Sequence, residues 1–475
     1  MSIISKTKRR NFLKGVGGAA AVTAAAPFIW IPRMSRANVD IPASRHNHLI
    51  MINLDGGARS VPMFNANVST QYNPFTNDAG QSVHGPAQGV PAGVEWSPGG
   101  MFDYMPYTDT QVGFGQDMPS LPMIADEICV LGTVDHTPGA AVGEGNHNNA
   151  RNWIASGKGM GGSGIMSLIY ANHKNYAEDA GGNPVFPPVT IGTGAATTPF
   201  SVPEGPIAPV EVPSFSEFED QSGEDAGEQP GWARNMEEGL DQYIASSRSA
   251  RDRELIRRLS NGKSAVETFK AVFTDPAVKV ESEPNAGEGL TNAQLATILG
   301  TTQLGRDLAL SLRFLQAGSA AVLVGHNGWD THSNESTLFV NLGNELARAF
   351  AGLNFALKQL SHPEGGTYWD HTMVIVHSEF GRDNLQGNGF NSGGGSDHTG
   401  GAGSRYQAFP YMGGQVTMGG GFYGRTDSST MEPMAGEPIF STTQHLAAAL
   451  AYLDIDTSSI WEGVDPMTAI WNGEA

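Results

Sequence analysis

The chain has 475 residues, with 48 acidic against 28 basic side chains and a formal net charge of −20. This acidity argues against binding to nucleic acid or to anionic membranes, because both need a basic protein face. The single cysteine, Cys129, excludes an internal disulfide and a cysteine-rich zinc site. The length suits one large domain or two ordinary ones.

Residues 1–37 have the pattern of a twin-arginine export signal. Arg9 and Arg10 open an R-R-x-F-L-K motif, a mildly apolar run extends from Gly15 to Pro32, and small residues follow at Ser35 and Ala37. The twin-arginine translocase carries folded proteins, often with a metal already bound. We therefore predict a periplasmic or secreted protein without a stable membrane span. An uncleaved anchor is the alternative, but the apolar run is weaker than the ~20 strongly apolar residues that a spanning helix needs.

The remainder, residues 38–475, is predicted to form one domain. The apolar run from His48 to Leu54 predicts a buried strand, and Ile128 to Val134 predicts a second. Between them, residues 58–125 have no long periodic pattern, which predicts a loop excursion. A helix is expected to begin near Asn146 and to continue through Trp153.

Residues 176–233 contain acidic side chains but no Lys or Arg, which predicts an acidic insertion. A solvated loop is the simpler interpretation, with a short strand over Pro188 to Ile191. Calcium binding is the alternative interpretation, although no EF-hand spacing supports it.

Strands and amphipathic helices alternate through the second half of the chain. This order predicts an α/β fold in which a mainly parallel sheet carries helices on both faces. The predicted strands are Ala320 to Val324 and Thr372 to His377, and the predicted helices are Arg234 to Phe273, Thr291 to Gln316 with Gly318 as its C-terminal cap, Glu335 to His362 and Thr442 to Leu453.

Acidic and imidazole side chains follow the predicted strands. Ligands of such sheets bind beyond the carboxyl ends of the strands, so these side chains are candidates for one site. Carboxylates mixed with imidazoles, without thiolates, suit Zn²⁺, Mn²⁺ or Mg²⁺, with Ca²⁺ as a further possibility. Structural roles are the alternative, such as a helix cap for a strand-end Asp. The candidate ligands are Asp55, Asp330, His332, Glu379, Asp397 and His398, with His326 as a further candidate.

The order of these motifs resembles domain-of-unknown-function family 1501, which is assigned to the alkaline phosphatase and sulfatase superfamily and usually has twin-arginine signals. The resemblance spans nearly all of residues 38–475 and implies an alkaline-phosphatase-like fold. The pieces that carry it are Leu54 to Gly57, Asn146 to Gly157, Gly328 to His332, Ser378 to Arg382, Gly395 to His398, Gly413-Gly414 and Gly419 to Gly424.

The superfamily also implies a nucleophile, usually Ser or Thr, where the helix after the second strand begins. Asn146 stands there, and an amide cannot act as an alkoxide nucleophile. Cys129 lacks the C-x-P-x-R context of formylglycine sulfatases. Asn146 and His147 at this helix start remain candidates for binding an anion, with Arg151 on the same face. Arg382 is another anion-binding candidate, or a structural partner of Glu379.

These residues predict an exported metal-dependent hydrolase of a phosphate or sulfate ester, with a metal-activated water in place of a covalent nucleophile. Its partner would be a small anionic ester. The alternative is a non-catalytic periplasmic binding or assembly protein on the same scaffold, with an exported protein as its partner. A third hypothesis is a metal ion that only holds loops together.

Overall fold

The computed structural model describes residues 47–64, 112, 114–115, 118, 120–138, 143–158, 162–172, 187–193, 200–202, 205–207, 209–212, 290–316, 318–383, 395–398, 405–427 and 430–472. The predicted export signal and the predicted helix over 234–273 lie outside these residues, as does most of the loop excursion and of the acidic insertion. No helix in the described ranges combines the length and apolar character needed to cross a membrane.

A nine-stranded sheet forms the centre of the fold, in the order β10-β2-β9-β8-β1-β7-β3-β6, with β11 also paired to β2. Strand β9 runs antiparallel to β2 and β8, and the other pairings in this sheet are parallel. Strands β4 and β5 form a separate antiparallel pair. The strands are β1 (His48–Leu54), β2 (Ile128–Asp135), β3 (Val189–Ile191), β4 (Phe200–Val202), β5 (Gly205–Ile207), β6 (Val210–Val212), β7 (Ala321–His326), β8 (Thr372–Ser378), β9 (Tyr406–Met412), β10 (Phe422–Tyr423) and β11 (Phe440–Ser441).

Helices cover both faces of this sheet, which confirms the predicted α/β fold class. They are α1 (Ser60–Phe64), a 3₁₀ helix (Leu121–Glu127), α2 (His147–Ser156), α3 (Ile165–Asn172), α4 (Asn292–Leu299), α5 (Gln303–Gln316), α6 (Glu335–Gln359), α7 (Tyr368–His371), α8 (Thr442–Tyr452) and α9 (Ala469–Asn472).

Strand β1 shows how the two faces are filled, because its successive side chains point in opposite directions. Ile50 and Ile52 join the apolar cluster that includes α4, α5 and α6. Leu49 and Met51 join the cluster that includes α3 and α8. Every residue of β1 is buried. The continuous apolar run that predicted this strand therefore reflects burial on both faces of a parallel sheet.

Two segments differ from the sequence prediction. The single helix expected over Thr291 to Gln316 is wrong, because α4 ends at Leu299. Gly300, with a φ of +94°, breaks the helix before α5 begins at Gln303. The acidic insertion contains more than the one short strand expected over Pro188 to Ile191, because β4 and β5 form a pair within it and β6 pairs with β3 in the main sheet. In β6 the exposed Glu211 lies between two buried valines, the alternation typical of a half-buried strand.

The register of the central strands places three strand ends side by side. Leu54 of β1 pairs with His326 of β7 on one side and with Ser378 of β8 on the other. The residues that follow these strands therefore leave the sheet at the same edge. This edge is where Asp55, Asp330 and Glu379 were predicted to meet.

Candidate metal centre

Backbone contacts lock the three segments that leave this edge against one another. The amide of Trp329 donates to the carbonyl of Asp55 over 3.2 Å. A Cβ atom on Gly56, at φ +111°, would lie 2.5 Å from the backbone nitrogen of Asp330. A Cβ atom on Gly395 would lie 2.2 Å from the carbonyl carbon of His332. Only glycine at these two positions allows the loops to approach so closely.

Four side chains from three segments converge at this edge and form what we call the His₃Asp cluster: His147, Asp330, His332 and His398. Each offers one ligand atom, and the four atoms lie within 4.8 Å of one another. Nε2 of His332 lies 2.9 Å from Oδ1 of Asp330 and 3.0 Å from Nε2 of His398. Nε2 of His147 lies 3.6 Å from Oδ2 of Asp330. Three imidazole nitrogens and a carboxylate therefore face a common centre.

Outer hydrogen bonds orient two of these imidazoles. Nδ1 of His398 donates to the carbonyl of Gly145 over 2.6 Å, because a carbonyl can only accept. Nδ1 of His147 lies 2.5 Å from Oε1 of Glu379. With the proton on Nδ1, each ring presents the lone pair of Nε2 to the cluster. A histidine that binds a metal ion through one ring nitrogen usually donates the N–H of the other to a carbonyl or carboxylate in this way.

Glu379 is completely buried and serves three partners at once. Besides His147, its carboxylate accepts from the backbone amide of Gly56 over 3.2 Å and from Nε of Arg151 over 2.7 Å. Buried carboxylates are stable when hydrogen bonds and an opposite charge compensate for lost hydration. Glu379 therefore contacts the cluster through His147 and is not one of its four members.

Arg382 is buried behind Asp330 and uses all of its nitrogens within the protein. Its Nη2 donates to Oδ1 of Asp330 over 2.5 Å. Its other donor contacts are to the backbone carbonyls of Gly57, Ser396, Gly56 and Trp329, at 2.7, 3.1, 2.6 and 3.0 Å. Although partial burial raises the pKa of Asp330, the hydrogen bond and charge of Arg382 hold that pKa below its usual value. Asp330 is therefore ionised at neutral pH and ready to bind a cation.

The aromatic ring of Phe380 forms a wall beside two of the imidazoles. It stacks on His398 with ring centroids 4.5 Å apart and packs against His147 at 4.9 Å. Burial lowers the pKa of His398, and nearby positive charges such as that of Arg382 lower it further. At neutral pH His398 is thus uncharged, which is the form that binds a metal ion.

Asp55 and Asp397 lie beside the His₃Asp cluster but are not members of it. Asp55 accepts a hydrogen bond from Nδ2 of Asn53 over 2.6 Å. Burial, followed by repulsion from Glu379, raises the pKa of Asp55 to about 6. Asp397 has one carboxylate oxygen 3.8 Å from Nδ1 of His332 and accepts from the backbone amide of His398 over 2.8 Å.

His326, the further candidate, also lies outside the cluster. Its Nε2 lies 3.5 Å from Glu345, and its Nδ1 accepts from the indole of Trp329 over 3.3 Å. Within the described residues, Nε2 has no hydrogen-bond partner, so only Nδ1 of this ring is engaged by a hydrogen bond.

Asn146 is the N-terminal cap of α2. Its side-chain oxygen accepts from the backbone amides of Asn148 and Asn149 at 3.0 and 3.3 Å. Anion binding was proposed from the sequence at this helix start, where the side chain of Asn146 already satisfies these two backbone amides. His147, the next residue, points its ring into the His₃Asp cluster. A histidine at the start of a helix carries no sequence signal for such a role, which depends on the contact between His147 and Glu379, the residue that follows β8.

The profile of the DUF1501 family, described as a protein of unknown function, matches residues 46–462. The chain belongs to the DUF1501 family. A search of curated proteins found no match to this DUF1501 chain.

Several solved structures are similar to this DUF1501 chain at low identity. The PsFucS1 sulfatase from Pseudoalteromonas sp. is 12% identical, with 86% of this chain and 68% of that one covered and a TM-score of 0.36. The lipoteichoic acid synthase LtaP from Listeria monocytogenes is 10% identical, with coverage of 92% and 78% and a TM-score of 0.30. A variant of TAB5 alkaline phosphatase with bound Mg is 12% identical, with coverage of 87% and 99% and a TM-score of 0.34.

The donor set of the His₃Asp cluster limits the metals that this DUF1501 protein suits. Mg²⁺ and Ca²⁺ favour oxygen ligands, whereas three imidazoles and one carboxylate suit Zn²⁺ or Mn²⁺ better. A second group of possible ligands, at the opposite end of the sheet, comprises His362, Glu364 and His371. The rings of His362 and His371 stack at 3.8 Å with only 16° between their planes. Their lone pairs therefore lie in two separate, nearly parallel planes, and one ion cannot lie in the plane of both rings.

Proposed function

We propose that this protein is an exported, metal-dependent hydrolase that acts on a phosphate or sulfate ester. The observation that carries the proposal is the convergence of Asp330 and three imidazoles at the carboxyl edge of the sheet, where outer hydrogen bonds orient two of the rings. Sites that bind small ligands in α/β proteins occur at this edge. The twin-arginine motif at Arg9 and Arg10 supports export after folding.

The His₃Asp cluster would hold one divalent transition metal, with Zn²⁺ and Mn²⁺ as the leading candidates. When bound, such an ion supplies Lewis acidity to an ester oxygen and neutralises charge that develops in the reaction. Asp330 and His332 are about half exposed, so an ester can approach the cluster from solvent. The ring of Phe380 shields the other side of His147 and His398 from water.

Arg382 would act only through Asp330, because its donors already contact Asp330 and four backbone carbonyls. It is therefore a positioning residue in this proposal. The anion-binding role that its sequence position suggested would require it to abandon buried carbonyl groups, which costs free energy.

A non-catalytic binding protein is the second candidate function. The observation in its favour is Asn146, which caps α2 and offers no hydroxyl or thiol nucleophile at the start of that helix. A protein of this kind would bind the metal and an anionic group without breaking an ester bond.

The test is metal analysis of the purified protein, followed by assays with aryl phosphate monoesters, phosphodiesters and sulfate esters in the presence of Zn²⁺, Mn²⁺ or Mg²⁺. We expect one transition metal per chain and ester turnover that falls at least about 100-fold in Asp330→Asn and His332→Gln. His371→Gln, from the second group of possible ligands, is the matched control and should retain both. The proposal is refuted if the purified protein contains no metal and takes up none when it is incubated with these ions. Bound metal without ester turnover would favour the non-catalytic binding protein.

Export is tested separately with the full chain. Replacement of Arg9 and Arg10 by lysine should leave the folded protein in the cytoplasm, while the unchanged chain reaches the periplasm or medium. Equal export of both would refute the twin-arginine route.

A further inference from the structure

Arg151 lies one helical turn after His147 on α2, and both side chains meet the same buried carboxylate. Oε1 of Glu379 contacts Nδ1 of His147 at 2.5 Å, and Oε2 accepts from Nε of Arg151 at 2.7 Å. Because Glu379 is completely buried and accepts from the Gly56 amide as well, it cannot shift without disturbing the sheet edge. Arg151 is therefore held at a set distance from the His₃Asp cluster.

The two arginines near the cluster, Arg382 and Arg151, differ in how many of their guanidinium nitrogens already donate hydrogen bonds within the protein. Arg382 is only 1% exposed, and all three of its side-chain nitrogens donate to protein oxygens. The side chain of Arg151 is 45% exposed and makes its ion pair through Nε alone. Among the residues that the structure describes, its two terminal nitrogens make no further hydrogen bond.

The number of free N–H groups decides which of the two arginines can bind an anion. A guanidinium group recognises a tetrahedral oxyanion best when two of its N–H groups point at two oxygens in parallel. Pairing Nε with Glu379 leaves the terminal N–H groups of this 45% exposed side chain available to such an anion. The ordering cost of a long side chain is already met by the ion pair, so little entropy is lost when an anion binds.

We propose that Arg151 is the residue that binds the anionic group of the substrate, that Glu379 positions it, and that Arg382 takes no part in this contact. The proposal rests on the hydrolase function only for the identity of the substrate, since the anion contact itself needs no turnover. The ligand class is a tetrahedral oxyanion, either phosphate or sulfate. This anion would approach the exposed side chain of Arg151 from solvent.

Calorimetric titration of the metal-loaded full chain tests the proposal, with inorganic phosphate and inorganic sulfate as separate probes. Arg151→Met keeps the apolar length of the side chain, and we expect it to weaken binding of the preferred anion about 10- to 100-fold. Arg151→Lys keeps the charge but cannot contact Glu379 and two anion oxygens together, so it should restore only part of the loss. Arg306→Ala, which removes an exposed charge on α5, should change the affinity less than about twofold.

Metal content and melting temperature are measured on each variant, so that a loss of the metal is not mistaken for a loss of anion binding. Unchanged anion affinity in Arg151→Met overturns the proposal. Full restoration by Arg151→Lys also overturns it, because charge alone would then be sufficient. Failure of the wild-type chain to bind either anion at millimolar concentration overturns it as well.

The outcome is separable from that of the hydrolase proposal. If no ester is turned over and Arg151→Met still loses phosphate binding, the hydrolase proposal fails and the role of Arg151 stands. If esters are turned over and Arg151→Met has a wild-type KM, the hydrolase stands and the role of Arg151 fails. A raised KM with little change in kcat is the expected result, since the contact is made equally in the bound substrate and in the transition state.

Discussion

Nδ1 of His147 lies 2.5 Å from Oε1 of Glu379, and this contact joins a partly exposed imidazole to a completely buried carboxylate. The carboxylate determines which ring nitrogen carries the proton and therefore which one faces Asp330. It also ties the start of α2 to the end of β8. Glu379 thus controls the orientation of His147 within the His₃Asp cluster without being a member of it.

Glu379→Gln should lower metal affinity about 10- to 100-fold, the usual cost of removing an outer-shell carboxylate. The amide keeps the shape of the side chain but is a weaker acceptor for His147 and carries no charge. Competition with a chromophoric chelator measures the affinity. Asp397→Asn is the matched control, because its carboxylate lies 3.8 Å from the nearest nitrogen of His332 and its loss should matter little. Equal losses in both variants would contradict this role for Glu379.

Asp55 should make the stability of the metal-free protein fall as the pH rises. Its folded pKa of about 6 lies above the ordinary aspartate pKa of 3.8. The native state therefore holds this proton more tightly than the unfolded chain, and the resulting stabilisation is complete below pH 3.8 and lost as the pH passes 6. The difference of about 2 units corresponds to about 3 kcal/mol.

Urea unfolding in the presence of a chelator, between pH 4 and pH 7, tests this expectation. Relative to Asp55→Asn, the wild-type chain should lose about 2.5 kcal/mol of unfolding free energy over this range, most of the full effect. A difference that stays constant with pH would show that the pKa of Asp55 is not raised.

Arg382→Lys should destabilise the fold by about 3 kcal/mol or more, because a lysine cannot serve Asp330 and four backbone carbonyls at once. The carbonyls left without donors are buried beneath the cluster. Arg405→Lys is the control, since Arg405 is less buried and its side chain pairs with Asp135 at 2.8 Å. Its substitution should cost no more than about 1 kcal/mol. Chemical denaturation measures both losses of unfolding free energy. Similar losses in the two variants would contradict the importance of the contacts that Arg382 makes with Asp330 and the four carbonyls.

Gly56→Ala should reduce metal binding, whereas Gly365→Ala should not. Both glycines have left-handed backbones, with φ of +111° and +103°, so each substitution carries a similar conformational strain. Only at Gly56 would the new methyl group also lie 2.5 Å from the backbone nitrogen of Asp330, and at Gly365 it would meet nothing within 4 Å. Metal content by mass spectrometry separates the two effects. Equal metal loss would mean that strain, and not the contact with Asp330, is responsible.

The sequence predicted the strands that carry the site because they are buried on both faces and read as continuous apolar runs. It did not reveal β9, whose residues Tyr406–Met412 mix polar and aromatic side chains with a proline. The break at Gly300 was also missed, because the apolar pattern continues across it. Local sequence predicts well whether a strand is buried, but it predicts poorly which strands will be its neighbours in the sheet.

The candidate site shows the same limit. The strand-end positions of Asp330 and Glu379 were accessible from sequence, because parallel strands finish at one edge. The separate roles of these two carboxylates were not, because they depend on whether Arg382 or Arg151 reaches each one. His147 was predicted as an anion-binding residue, and its place among the imidazoles depends on the packing of α2.

The position of β9 has a consequence for biosynthesis. Since β9 lies between β2 and β8, the sheet remains in two unjoined halves until residues 406–412 have left the ribosome. Pairings this distant in sequence close slowly. The nascent chain must therefore wait until residues beyond 412 are being translated before its central hydrogen-bond network becomes continuous, and chaperone protection would matter most during that interval.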